Sequence, residues 1–176
     1  MKYEKDLLVS NKKEIVIKDA CILFDLADLN LLADFFQLEL TAFTTPQVVG
    51  EITNESQWEE ISKFIDNGKL AVDAYGDFVA ITKIYDEHPG LSIADSSVLE
   101  LAIRKDAIIF SSDGSLRKIS IKKKLVVRGI IWIIEELYTK DIIALDTAIS
   151  KLEEYKTINQ RAPIKEIQAL IDKLKK

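Results

Sequence analysis

Short β-rich runs alternate with amphipathic helical stretches along most of the sequence, and this alternation constrains the fold more than any other feature. The runs are EIVIK from Glu14, LTAF from Leu40, LAV from Leu70, AIIF from Ala107 and KLVV from Lys124. Strands separated by helices form βαβ units, in which a parallel sheet is covered by helices on both faces. The sequence therefore predicts an α/β fold with a central parallel sheet of four or five strands.

Capping signals place helices between these runs. Thr45 can cap a helix that begins at Pro46, because proline is well tolerated at the first helical position. Ser92 followed by Asp95 has the spacing of a capping box, which predicts a helix over roughly 91–103. The chain beyond Gly129 is helical in pattern, with a last helix after Pro163.

Composition excludes several classes of protein. A length of 176 residues suits one compact domain, and a net charge of −5 argues against a protein that coats nucleic acid by charge alone. The single cysteine, Cys21, excludes an internal disulfide. The charged N-terminus lacks a signal-peptide core, and no apolar run approaches the length of a membrane span. We therefore expect a cytoplasmic location.

Four acids occupy special positions in this pattern. Asp19 follows the first predicted strand, Glu51 lies in the helix after the second, Asp95 lies in the first turn of its helix, and Asp113 follows AIIF. The carboxyl ends of parallel strands share one edge, where distant residues converge. Clustered carboxylates repel one another and favour a bound cation, for which oxygen ligands suit Mg²⁺ or Mn²⁺.

Each acid also has a purely structural interpretation. Asp95 and Asp113 can cap helices, Asp19 can be a turn residue at a strand end, and Glu51 can be a solvated helix residue. The pattern alone leaves the metal site and these structural roles open.

Four segments carry a family resemblance, and they are IVIKDACILFDL, TTPQVVGEI, LSIADSSVLELAIRKDAIIFSSDGSLR and KLVVRG. In this order they resemble the acidic motifs of the PIN-domain family over roughly Glu14 to Gly129. The resemblance implies a three-layer α/β/α sandwich with a parallel sheet. It also implies that the catalytic, metal-binding acids are Asp19, Glu51, Asp95 and Asp113. Ser111 falls where the family often has a threonine or serine two residues before the last acid.

The resemblance implies a Mg²⁺- or Mn²⁺-dependent endoribonuclease that hydrolyses phosphodiester bonds of single-stranded or structured RNA. Such enzymes include the toxins of VapBC-type toxin–antitoxin pairs, so an antitoxin partner and a homodimer are expected. We divide the chain into an N-terminal extension over 1–13, a PIN-like domain over 14–129, and a C-terminal helical region over 130–176 packed on the same domain. The extension departs from small toxins, whose first motif often begins near residue one.

Two further segments have both a functional and a structural interpretation. One is a basic stretch that contains no acid and could contact RNA phosphates or form a solvated helix end; it comprises Arg117, Lys118, Lys122, Lys123, Lys124 and Arg128. The other runs from Ile130 to Tyr138, includes Trp132, and is either a core helix or a surface for a second copy or an antitoxin.

Two rival functions stay open at this point. A phosphatase-like or receiver-like α/β protein also uses acids at strand ends, but Cys21 stands where a phosphatase would want a second aspartate. A receiver would want a lysine at the end of a late strand, and Arg128 with Gly129 fits this poorly. The other rival is a non-catalytic binding module on a PIN scaffold, which would be expected to lack one of the four acids.

Overall fold

A computed structural model describes residues 13–17 and 20–176. Asp19 and nearly all of the predicted N-terminal extension lie outside these residues. The described elements are, in chain order, β1 (Lys13–Ile17), α1 (Ala20–Asp28), α2 (Leu32–Phe35), β2 (Leu40–Thr44), α3 (Pro46–Gly50), α4 (Glu55–Asp66), β3 (Leu70–Val72), α5 (Phe78–Glu87), α6 (Ile93–Lys105), β4 (Ile108–Phe110), α7 (Gly114–Lys122), β5 (Val127–Arg128), α8 (Ile130–Thr139), α9 (Leu145–Ile158) and α10 (Ile164–Leu174).

The five strands form one parallel sheet in the order β3-β2-β1-β4-β5. Ile15 pairs with Ala42 of β2 on one side and with Ile108 of β4 on the other, so β1 lies at the centre. The prediction of a parallel sheet with four or five strands is confirmed.

Alternation along β1 explains why helices cover both faces of the sheet. Ile15 and Ile17 point into one hydrophobic core, whereas Val16 points into the other. The first core includes side chains from α1, α4, α8, α9 and α10, and the second includes side chains from α3, α5, α6 and α7. The predicted three-layer α/β/α sandwich is confirmed.

The C-terminal helices belong to the first of these cores. Ile133 of α8, Leu152 of α9 and Ile167 of α10 are fully buried there together with Phe110 of the sheet. Trp132 is half-buried, and its ring centroid lies 5.5 Å from that of Phe110. Most of α8 therefore packs inside its own chain, in agreement with the interpretation as a core helix.

The most exposed large apolar side chains among the described residues lie elsewhere, at Tyr75, Phe78 and Val79. Self-association through Ile130 to Tyr138 stays a prediction. No helix in the described part of the chain combines the length and the apolar character that crossing a membrane requires.

Two element boundaries differ from the sequence prediction because of left-handed residues. The pattern of 29–36 predicts a helix, but Asn30 has a φ of 55° and α2 begins only at Leu32. A strand was expected from Lys124, but this residue has a φ of 63° at the turn after α7, so β5 contains only Val127 and Arg128. A left-handed residue cannot continue a regular helix or strand.

Candidate active site

The strand order changes direction at the centre of the sheet, between β1 and β4. From β1 the chain moves to β2 and β3 on one side, and it later returns to β4 and β5 on the other. Ile17 pairs with Phe110, so the chain leaves these two strands side by side at the carboxyl edge. Ligands of open α/β sheets bind in the crevice at such a point. Asp19 comes two residues after Ile17 in the sequence but lies outside the described residues.

Asp113 lies at this edge, in the turn between β4 and α7. Its backbone N–H donates a hydrogen bond of 3.0 Å to Oγ of Ser111, which is fully buried. Its own Oδ1 accepts a hydrogen bond of 2.8 Å from the backbone N–H of Leu116, so the carboxylate caps α7. These bonds fix the half-buried carboxylate at a helix N-terminus, where the helix dipole favours negative charge.

Asp95 lies in the first turn of α6 and is only 7 % exposed. Its Oδ2 accepts a hydrogen bond of 2.8 Å from the backbone N–H of Ser92, while Oγ of Ser92 accepts one of 3.0 Å from the N–H of Asp95. The predicted capping box is confirmed. It holds a buried carboxylate in one orientation.

A chain of hydroxyl hydrogen bonds joins α6 to α3. The Ser97 hydroxyl donates to the carbonyl of Ala94 at 2.7 Å, so the Thr45 hydroxyl, 2.7 Å from Oγ of Ser97, is the donor in that pair. Thr45 directly follows β2, which places the beginning of α6, with Asp95, at the carboxyl end of that strand. Glu51 is exposed at the C-cap of α3, one position beyond the helix in which the sequence placed it.

A cleft of about 880 Å³ opens beside Asp113. It extends from the carboxyl ends of β4 and β5 to the connection between α9 and α10. The side chains that matter for its chemistry are Ser111, Asp113, Arg117, Arg128, Trp132 and Arg161. Among the described acids that were predicted to form the site, Asp113 lines this cleft, whereas Asp95 and Glu51 do not.

The predicted basic stretch divides into two groups. Arg117 and Arg128 line the cleft. The four lysines of the stretch are exposed and lie outside its lining; they are Lys118, Lys122, Lys123 and Lys124. Of the six residues in this stretch, only the two arginines are therefore placed to contact a ligand in the cleft.

The donor chemistry of the site suits a hard divalent ion. Asp113 supplies carboxylate oxygens in the cleft, and Asp95 supplies them at the carboxyl end of β2; such oxygens suit Mg²⁺ or Mn²⁺. Among the residues whose side chains the structure describes, no group of three histidines, cysteines, aspartates or glutamates comes together as a metal site. Because Asp19 is not among these residues, the site of four acids stays a prediction.

The structure also brings residues into the cleft that the sequence did not indicate. Nδ2 of Asn159, at the end of α9, donates to Oδ2 of Asp25 at 3.1 Å and to the hydroxyl of Tyr155 at 3.3 Å. Burial, together with the nearby Asp25 carboxylate, raises the pKa of Tyr155 to about 12. No local pattern could have found this contact, because Asn159 and Asp25 are 134 positions apart.

A second polar cluster shares no residue with the lining of the cleft. The Arg104 guanidinium donates hydrogen bonds of 2.9 Å to Glu100 and of 2.9 Å to Asp73. Burial opposes ionisation of Asp73, but the Arg104 hydrogen bonds, the Tyr75 backbone N–H and the nearby positive charges together lower the pKa of Asp73. Arg104 thus links the end of β3 to α6.

Comparison with known families agrees with this architecture. A family model described as a PIN domain matches residues 15–176, which includes the three C-terminal helices. No curated protein matches the chain.

Proposed function

Since this chain belongs to the PIN-domain family, whose members are generally nucleases, we propose that it is a divalent-metal-dependent endoribonuclease. The observation that carries the proposal is the cleft at the carboxyl edge of the sheet, with Asp113 beside Arg117 and Arg128. It combines a carboxylate, which can hold a cation, with guanidinium groups, which can bind phosphate. The buried Asp95 at the carboxyl end of β2 supports the same chemistry.

The proposed reaction is hydrolysis of an RNA phosphodiester. A water oxygen bonds to phosphorus, one ester P–O bond breaks, and the leaving oxygen takes a proton. Asp19 and Asp95 are our first choices for residues that hold the metal ion, with Glu51 and Asp113 completing the site or orienting the water. A bound Mg²⁺ or Mn²⁺ ion supplies Lewis-acid chemistry, because it activates water and offsets charge on the phosphate.

Direct attack by water is favoured over a covalent intermediate. The only histidine of the chain, His88, is the C-cap of α5 and does not line the cleft. Ser111 does line it, but its oxygen accepts the backbone N–H of Asp113, and no histidine is there to take its proton. A serine nucleophile needs such a base.

The proposal is tested by cleavage of single-stranded RNA in Mn²⁺, with and without EDTA, by the wild type and by Asp19→Asn, Asp95→Asn and Asp113→Asn. We expect EDTA to abolish cleavage. We expect each substitution to reduce it at least roughly tenfold, because changing even an outer partner of a metal ligand costs that much. Asparagine keeps the size and one acceptor oxygen, so melting temperatures should show that the variants fold.

Asp106→Asn is the matched control. Asp106 is exposed at the C-cap of α6 in a left-handed conformation that asparagine also adopts readily. Its cleavage rate should equal that of the wild type. Cleavage that survives EDTA and all three site substitutions would contradict the proposal. RNA binding without cleavage would favour the binding module, and release of phosphate from a phosphomonoester instead would favour the phosphatase-like alternative.

We further propose, as implied by the family resemblance, that the protein acts in the cytoplasm, as a toxin with an antitoxin partner, and as a homodimer. A neighbouring gene for a small DNA-binding protein would support the toxin role. Light scattering that shows a monomer at high concentration would contradict the homodimer.

A further inference from the structure

Arginines from three separate elements line the cleft. Arg117 lies on α7, Arg128 ends β5, and Arg161 lies in the connection between α9 and α10. None of the three forms an ion pair with a carboxylate in the part of the chain that the structure describes. A guanidinium with no internal carboxylate partner is placed to pair with a phosphate from outside.

Most acids of the same lining already have partners of their own. Asp25 accepts from Asn159, and Glu135 forms an ion pair of 2.7 Å with Lys173. Asp113 caps α7 and is the proposed catalytic acid, which leaves Glu166 as the remaining acid of the lining. The arginines are therefore the groups of the lining that are suited to a polyanion.

The position of Arg161 is fixed by the network beneath it. The backbone N–H of Arg161 donates a hydrogen bond of 2.9 Å to Oδ1 of Asn159. The amide nitrogen of Asn159 in turn donates to Asp25 of α1 and to Tyr155 of α9. The connection that carries Arg161 is thus tied to the body of the protein, as the wall of a fixed groove must be.

Trp132 adds an aromatic surface to the cleft. It is half-buried, and its indole packs against Phe110 at the end of β4, so the core holds its orientation. Aromatic side chains beside a basic groove bind single-stranded nucleic acid by stacking on its bases. Bases within a duplex are already stacked on one another, so this surface suits a single strand.

We propose that the cleft is the channel for a single strand of RNA, with Arg117, Arg128 and Arg161 on its phosphates and Trp132 stacked on a base. The connection between α9 and α10 then forms the second wall of the substrate site, and the C-terminal helices take part in substrate binding. This inference rests on the proposed function, because it names how the same site takes its substrate.

The test is fluorescence anisotropy of a short fluorescein-labelled RNA with the full chain in EDTA, so that binding is measured without cleavage. We expect Arg161→Ala to weaken binding of the single strand by about tenfold at low salt, through loss of one phosphate contact. The slope of log affinity against log salt should fall by about 0.7, the value for one phosphate of a single strand. Lys165→Ala, an exposed substitution outside the cleft, should leave both quantities unchanged.

Tryptophan fluorescence gives an independent readout. In Trp58→Phe, the emission of Trp132 should change on addition of the single strand and much less on addition of the same sequence as a duplex. In Trp132→Phe, the emission of Trp58, which is exposed on α4, should stay constant.

These measurements distinguish failure of the RNA-channel proposal from failure of the nuclease proposal. If a folded Arg161→Ala variant binds RNA with the affinity and salt slope of the wild type, the channel proposal is wrong. Mn²⁺-dependent cleavage in the same experiment would still support the nuclease proposal. Equal binding of duplex and single strand, without a change in Trp132 emission, would overturn it too. Binding that depends on Arg161 without any cleavage in Mn²⁺ would uphold the channel and overturn the nuclease.

Discussion

For Asp95 and Asp113, the proposed catalytic acids, capping a helix does not exclude holding a cation. Each accepts a hydrogen bond from a backbone N–H at the beginning of a helix. An ionised carboxylate offers about four acceptor sites on its two oxygens, so capping uses only part of its capacity. The cap also orients the group, which is what a proposed metal ligand or water-orienting residue requires.

The first prediction, at the scale of single residues, concerns Tyr155. Burial and Asp25 raise its pKa from 10.0 to about 12, so the folded state holds the phenolic proton more tightly than the unfolded chain does. Stability from this group is fully present below pH 10 and is lost as the pH rises from 10 through 12. Between pH 10 and pH 12, we expect the difference in free energy of unfolding between wild type and Tyr155→Phe to fall by about 2 kcal/mol.

The measurement is urea unfolding of both proteins at a series of pH values. Tyr75→Phe is the control, because Tyr75 is 89 % exposed and its replacement should change stability equally little at every pH. A difference between wild type and Tyr155→Phe that stays constant up to pH 12 would contradict the assignment.

At the scale of elements, polar side-chain links hold α6 in place against the sheet. The pair of Thr45 and Ser97 joins α6 to the beginning of α3, Arg104 joins it to the end of β3, and Lys105 pairs with Glu14 of β1 at 3.7 Å. These side-chain contacts, and not the sheet order alone, help to fix where Asp95 lies.

The second prediction concerns Arg104→Ala. It would leave the side chains of Glu100 and Asp73, each only 7 % exposed, without their cation. We expect a loss of about 1–3 kcal/mol at pH 7, below the full cost of breaking a buried pair because Arg104 is itself 36 % exposed.

The loss of stability in Arg104→Ala should be smaller at low pH. Because the folded state lowers the pKa of Asp73 below 3.8, its stabilising contribution is present above that value and is lost as the pH falls through the folded pKa. Urea unfolding should therefore show a smaller effect of Arg104→Ala at pH 3 than at pH 7.

The control is Lys83→Ala, which breaks only the exposed 3.9 Å pair with Glu87 and should cost less than about 0.5 kcal/mol. An equal effect of both variants at pH 7 would refute the argument.

At the scale of the whole molecule, the C-terminal helices share a buried core with the sheet. Ile167 and Ile171 of α10 are fully buried in the core that also contains Ile15 and Ile17 of the central strand. We predict a single cooperative unfolding transition, in which Trp58 on α4 and Trp132 on α8 each report the same midpoint as circular dichroism of the same variant. The check is urea unfolding of Trp58→Phe and Trp132→Phe, each followed by fluorescence and by circular dichroism.

Ile167→Ala leaves a cavity in the common core and should lower the free energy of unfolding by about 2–5 kcal/mol. The midpoints reported by both tryptophans should fall together. Lys165→Ala, two residues earlier and exposed, is the control. A fluorescence midpoint that differs from the circular-dichroism midpoint of the same variant would show that residues 130–176 form an independent unit instead.

The sequence by itself determined the layers, the elements and the order of the motifs. Apolar runs such as 14–18 and caps such as Ser92 act over a few residues, so their consequences follow from local spacing. For the same reason the capping box at Asp95, the turn at Asp113 and the last helix, Ile164–Leu174, were predictable. The boundaries that differed, at Asn30 and Lys124, depend on single left-handed residues that no hydrophobic period reveals.

Only the tertiary structure decided what surrounds Asp113. It selected Arg117 and Arg128 from a basic stretch of six, and it brought Arg161 and Asn159 from the far end of the chain to the same cleft. Such partners are set by how α9 and α10 pack on the common core, which depends on the summed burial of many side chains. Local spacing in the sequence carries no record of that packing.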